Sequence, residues 1–320
     1  MDLNLLEHLP RRTGMLGVEK VTLAYTLFTA LLVLLLWGRM TDPGLLMYGR
    51  VLILSGLVAT RVIYLWMPTR GTLLLRYLYP LSLLAYWYPD TYEFCQLFGN
   101  LDHVFARADQ TLFGCQPALL FFRLLPGKVW SELFHLGYFS YYPLIALTVL
   151  APLFTNRSLF GRTAFVVLLS FFFYYLIYLF LPVAGPQYYF HAVGLDAVQA
   201  GHFPAVGDWF RFHTELAPSP TPSGLFRNLV EATQASGERP TAAFPSSHVG
   251  VSTILMLLLW RNRRTLMLAV APLYVLLCAS TVYIEAHYLI DVFGGWATAF
   301  LFYWLTNRLY PYFEKNNVYP

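Results

Sequence analysis

Two short segments carry residue types suited to acid–base and nucleophilic chemistry: Phe244-Pro245-Ser246-Ser247-His248 and His287-Tyr288-Leu289-Ile290-Asp291. His287 and Asp291 are four positions apart, so on a helix they share a face and the carboxylate can reach an imidazole N–H. Such a contact fixes the tautomer, stabilises an imidazolium and leaves the other ring nitrogen free as a nucleophile. His248, from the other segment, can protonate a departing oxygen and then activate the next acceptor. Ser246, Ser247 and the N–H groups of a helix starting there offer an anion site. A zinc site of His248, His287 and Asp291 would use acceptable ligand types, but nothing in the spacing favours it.

Both segments lie at the ends of long apolar runs. The chain has 320 residues, 58% of them hydrophobic and only 12% charged, with a mean hydropathy of +0.53; this is the composition of a polytopic membrane protein. Runs long enough to span a bilayer fall near 21–38, 45–67, 130–153, 162–182, 265–284 and 288–307, with a shorter one at 247–260. A weaker candidate, 72–88, contains Arg76 and Pro80 and reads as a kinked span or an interfacial segment. The expected fold is an all-α polytopic bundle of six to eight spans. The first run lacks a small-residue cleavage site and reads as a retained span. Aromatic residues make up 18% of the chain and crowd the ends of the runs, as at Tyr86, Trp87 and Tyr88, as interfacial anchors do.

The positive-inside bias sets the expected orientation. Arg261, Arg263 and Arg264 in one loop and Arg157 with Arg162 around another place those loops in the cytoplasm, and Arg11, Arg12, Lys20, Arg308 and Lys315 put both termini there. His248 and His287 then face the periplasm or outer leaflet of the inner (plasma) membrane. The net charge of +4 reflects these anchors, and no basic stripe suits nucleic acid.

Two outer segments exceed simple connectors. Residues 89–129 hold Asp90, Glu93, Asp102, Asp109 and Gln116; residues 183–246 hold Gly185-Pro186-Gln187-Tyr188-Tyr189 and a Pro/Ser/Thr tract from Pro218 to Gly224, which reads as a stiff linker. Trp209, Phe210 and Phe212, just before that tract, suit a membrane surface or the cover of a pocket. His191, His202 and His213 read as surface histidines, and Glu285 as a solvated or capped carboxylate outside the core site. Cys95 and Cys115 lie where a disulfide is permitted, and Cys278 reads as a small core residue.

Ala243–His248, and Ser280-Thr281 followed after five residues by His287 and after three more by Asp291, resemble the second and third signature motifs of the type 2 phosphatidic acid phosphatase superfamily. The resemblance implies a six-helix catalytic core in which His287 takes the phosphoryl group, Asp291 orients it and His248 serves as general acid and base, with no metal or other cofactor. The chain departs from the phosphatase pattern in two places. Thr281 stands where that pattern has a phosphate-binding arginine, and the first motif is replaced by Gly185–Tyr189, which is similar to the inositol phosphorylceramide synthase and sphingomyelin synthase branch. A looser similarity at Leu112–Pro117 is of the bacterial type. Without the fixed cations, Arg239 and Arg227 are the expected substitutes, and Ser246, Ser247, Gln187, Tyr188 and Tyr189 are the other expected substrate- or phosphate-binding residues.

The expected organisation is N-terminal helices and an outer loop over 1–129, a catalytic membrane domain over 130–308 and a short tail over 309–320. The expected activity is transfer of a phosphate-containing headgroup from a membrane lipid to a hydroxyl acceptor, inositol-type, ceramide-type or water. Hydrolysis of a lipid or polyprenyl phosphate is the alternative within the enzyme class. A lipid or solute transporter is the alternative outside it, and that reading needs polar residues through the middle of the spans, which the runs at 247–260 and 265–284 scarcely show.

Overall fold

The computed structural model describes residues 4–217 and 219–314. Pro218 of the Pro/Ser/Thr tract, Lys315 and the remainder of the tail lie outside the described residues. Fifteen α-helices follow in chain order: α1 (Gly17–Leu35), α2 (Pro43–Trp66), α3 (Arg70–Ser82), α4 (Leu84–Cys95), α5 (Asp102–Phe113), α6 (Pro117–Leu124), α7 (Lys128–Phe139), α8 (Tyr141–Thr155), α9 (Phe160–Tyr178), α10 (Pro186–Val193), α11 (Leu195–Gln199), α12 (Leu225–Gly237), α13 (Ser247–Asn262), α14 (Arg264–Tyr283) and α15 (Leu289–Phe313). The protein is an all-α polytopic bundle, with no strand among the described residues.

Among the described residues six stretches are long and apolar enough to cross a membrane: Gly17–Leu35, Pro43–Trp66, Lys128–Thr155, Arg157–Tyr178, Arg264–Tyr283 and Leu289–Phe313. The two remaining sequence candidates have physical reasons for falling short. The run at 72–88 is split at Leu83 into α3 and α4, with Pro80 and Pro89 inside the two pieces; each proline removes a helix hydrogen bond. The run at 247–260 becomes α13, which at 16 residues spans about 24 Å, short of a bilayer's hydrocarbon core.

The helices group into two compact units. The first comprises Met1–Asp90, Leu147–Phe173 and Phe302–Pro320. Inside it, the charge that weakens the 72–88 segment as a span, Arg76, is neutralised in place, as is a second buried arginine, Arg50. Arg76 donates to both oxygens of Glu19 at 2.6 and 2.7 Å, and Arg50 donates to both oxygens of Asp90 at 2.8 and 2.7 Å. All four side chains are buried, a placement tolerable only with such bidentate pairing. Tyr25 stacks on Phe172 at 4.4 Å and meets Trp87 edge-on.

The second unit comprises Thr91–Ala146 and Tyr174–Leu301 and holds every residue of the two chemistry-bearing segments. Its core gathers Tyr188, Tyr189, Phe190, Phe210, Val249, Tyr288 and Val292. Phe210 is thus part of the core, whereas Trp209 and Phe212 remain exposed. Close helix contact is set by glycine: a Cβ on Gly295 of α15 would sit 2.7 Å from the carbonyl oxygen of Ser246, so a side chain there would push α15 away from the start of α13. No disulfide joins Cys95 to Cys115. Both thiols are free, and Cys95 is buried with its Sγ 2.9 Å from the Thr241 hydroxyl.

Candidate active site

His248 enters the site on the first turn of α13, which starts at Ser246 because the Ser246 hydroxyl accepts the Val249 N–H and caps the helix. His287 lies in the five-residue turn between α14 and α15, and Asp291 on the first turn of α15. The two imidazoles face each other edge to face, with ring centroids 5.7 Å apart at 63°. His248 is held between two rings: Tyr138 stacks on one side at 4.5 Å and Tyr141 lies at 4.4 Å. Its Nδ1 is buried without a hydrogen-bond partner among the described residues.

The tautomer of His287 follows from its partner. Nδ1 lies 2.8 Å from the carbonyl oxygen of Ala243. A carbonyl only accepts, so Nδ1 carries the proton and Nε2 presents its lone pair. Burial pushes the imidazole down to about 4, opposed by the Ala243 bond, so the ring is a neutral base at pH 7. Asp291 Oδ2 stands 3.5 Å from the same Nδ1, close enough to stabilise positive charge, but its shorter contact is with the Tyr288 N–H at 2.9 Å. The expected i, i+4 pairing is present, with the backbone of Ala243 as the nearer orienting group.

Two carboxylates outside the predicted set hold these turns. Asp102, wholly buried, accepts from the Ala184 and Gly185 N–H groups, each at 2.7 Å, from the Tyr288 hydroxyl at 2.9 Å and from the Asn100 amide. Asp109 accepts from the Leu289 and Ile290 N–H groups at 2.8 and 2.9 Å, capping α15 just ahead of Asp291. Burial raises both carboxyls to about 6, against the opposing pull of those donors. Gly185 has φ of +95° and approaches the Ala286 carbonyl so closely that a Cβ would stand 2.7 Å from its oxygen. Three backbone bonds complete the assembly: Gln187 N–H to Glu285 O, Ala243 N–H to Val183 O and Ser246 N–H to Asp291 O.

The other predicted residues are distributed around this centre. The Ser247 N–H donates to the Tyr178 hydroxyl at 3.0 Å, so the N–H groups of Ser246, Ser247 and Val249 all have protein partners. Tyr189 is buried, its hydroxyl donating to Pro204 O. Gln187, Tyr188 and Arg239 line a cavity of about 470 Å³ together with Glu285. Arg227 is bonded to Glu231 at 2.8 Å and lies outside that lining. Glu285 is not solvated: it is 6% exposed and sits at φ of +62°. His191, His202 and His213 are exposed as expected. Among the described residues no group of three or more His, Cys, Asp and Glu has the geometry to hold a metal ion.

A family model described as the PAP2 superfamily matches residues 103–305. The chain belongs to the PAP2 superfamily. The match contains His248, His287 and Asp291, and also Asp109, which the sequence segments alone did not single out. Membership makes this PAP2 protein a membrane-embedded enzyme of the phosphatase or phosphotransferase type acting on lipid phosphoesters. No curated protein and no solved structure matches the chain.

Proposed function

We propose that the protein is a lipid phosphotransferase that moves a phosphate-containing headgroup from a glycerophospholipid to a hydroxyl acceptor through a phosphohistidine on His287. The observation that carries this reading is the Nδ1 bond to Ala243, which leaves Nε2 as an uncharged nucleophile beside a second imidazole. In the first step Nε2 attacks phosphorus and the P–O bond to the diacylglycerol oxygen breaks, while His248 delivers a proton to that alkoxide. Asp291, 3.5 Å from Nδ1, offsets the positive charge that develops on the ring. In the second step His248 takes the proton of the acceptor hydroxyl, whose oxygen attacks phosphorus as the P–N bond breaks.

Transfer is favoured over hydrolysis by enclosure: His287 is only 4% exposed, and His248 is packed between aromatic rings. The site lies on the outer leaflet of the inner membrane with both termini cytoplasmic, as the distribution of Arg and Lys supports. The inositol phosphorylceramide synthase-like branch is supported by Gly185–Tyr189, whose backbone is tied to the His287 turn, and by Thr281 in the place of a phosphate-binding arginine. The catalytic membrane domain covers 130–308.

The test is turnover of headgroup-labelled phospholipids by purified protein with and without inositol- and ceramide-type acceptors. A new phospholipid that requires both acceptor and His287 supports transfer. Inorganic phosphate released at the same rate with or without acceptor replaces transfer with hydrolysis, and turnover surviving His287→Ala refutes the phosphohistidine.

A further inference from the structure

Glu285 is two residues from the nucleophile and takes no part in the steps above. Its backbone carbonyl is occupied by the Gln187 N–H, which fixes the residue in the left-handed region, uncommon for a side chain larger than glycine. The residue lines the 470 Å³ cavity, a volume in the range of small-molecule sites. The residue is 94% buried, being 6% exposed, and among the described residues its carboxylate makes no hydrogen bond or ion pair. The same wall carries Glu215, Glu231 and Glu238 against one guanidinium, Arg239. Counting Arg227, which is bonded to Glu231, and Arg123, whose charge acts on Glu285, the surroundings still hold one more carboxylate than guanidinium groups once Glu285 is ionised. The histidines in the wall, His135 and His191, add no charge above their ordinary titration range. A buried carboxylate without a partner is costly, and an anionic ligand would raise that cost.

We propose that this cavity binds the cationic end of a substrate, an alkylammonium group, with Glu285 as its counter-ion. The role of that group as part of a phosphotransfer substrate rests on the reading above; the binding itself does not. The ammonium can belong to the headgroup of the donor lipid or to an amino-alcohol acceptor, since both present the same chemistry to Glu285. Burial raises the Glu285 carboxyl to about 7, with Arg123 opposing, so a solution at pH 8 keeps it ionised.

The experiment measures binding of choline and of its uncharged isostere 3,3-dimethylbutan-1-ol to the full chain in maltoside micelles at pH 8, by saturation-transfer NMR. Choline is expected to bind the unaltered protein and the His287→Ala variant alike, and about tenfold more weakly to Glu285→Gln. The isostere is expected not to bind. Equal binding of choline and isostere by the unaltered protein overturns the proposal without any variant having to fold, as does unchanged choline binding in a folded Glu285→Gln protein. Choline binding that depends on Glu285 sustains the cavity assignment even if no phosphotransfer is found, so the two readings fail separately. Where turnover is found, Glu285→Gln is expected to raise KM for an ethanolamine-headgroup donor over a glycerol-headgroup one, or for an amino-alcohol acceptor over a neutral one. A change in neither removes the cavity from the catalytic cycle.

Discussion

The Tyr288 hydroxyl donates to Oδ1 of Asp102 at 2.9 Å, joining residues 186 positions apart. Through the same carboxylate the Ala184–Gly185 turn is tied to the residue that follows His287. Asp102 thus fixes the His287 turn without touching His287. Asp102→Asn puts an amide in place of one acceptor oxygen, facing donors that then have no acceptor. Leaving buried donors unmade costs about 1–3 kcal/mol each, so the variant is expected to lose several kcal/mol of stability and at least tenfold in kcat. Thermal unfolding and single-turnover kinetics check it.

Asp109 acts on the neighbouring helix by capping the first turn of α15, the turn that carries Asp291. Asp109→Ala is expected to cost about 1–2 kcal/mol, as for other N-cap losses. It should also lower kcat more than it raises KM, because it loosens Asp291 rather than a binding contact. Melting temperature and the kcat and KM values, measured together, test both parts.

Gly185 needs its glycine on two counts, a φ of +95° and the approach to Ala286 O. Gly185→Ala is expected to destabilise by more than 1 kcal/mol and to abolish turnover, because the displaced carbonyl lies next to His287. Retained activity with an unchanged melting temperature contradicts this.

These residues also mark what can be read from the chain alone. His248, His287 and Asp291 stand out because apolar runs frame them and the i, i+4 spacing is local. Asp102 and Asp109 do not: apart from Asn100, two positions from Asp102, their partners are 82 to 186 positions away, and nothing in a stretch of mixed polarity tells a clamp from a solvated loop. Glu285 reads as solvated from sequence for a related reason, since neither a positive φ nor a cavity leaves a mark on composition. The 72–88 segment was ambiguous because Arg76 looks isolated in sequence, whereas Glu19, 57 positions earlier, neutralises it. The short α13 was legible as an apolar run, though its 16 residues do not by themselves cross a bilayer.

The Glu19–Arg76 pair makes its own prediction. Arg76→Met leaves a buried carboxylate unpaired and is expected to cost about 3–5 kcal/mol. Adding Glu19→Gln, which keeps an acceptor for the Leu16 N–H, is expected to restore most of that stability. Denaturation of the single and double variants in the same detergent checks the cycle.

The ionisation of His287 gives a pH signature. Its pKa near 4 is below the ordinary histidine value of about 6.5, so the imidazole stays a free base, protonated on Nδ1, down to about pH 4. Below that it takes a second proton and the lone pair is lost. Solid-state NMR of ¹⁵N-histidine protein, with His287→Ala for assignment, is expected to show the His287 imidazole unchanged between pH 8 and pH 5. Phosphoenzyme formation should lose its His287-dependent limb near pH 4; titration of that signal near 6.5 contradicts the burial argument.

The most direct measurement of the central claim uses a phosphoryl donor with a nitrophenolate leaving group, which needs no proton to depart. In His248→Ala the first step can then run while the second, lacking its base, stalls. One equivalent of nitrophenolate per enzyme is expected in a burst, with acid-labile, alkali-stable phosphate on His287, and no burst once His287→Ala is added. A burst that survives loss of His287, or phosphate recovered on another residue, contradicts a phosphohistidine at this position.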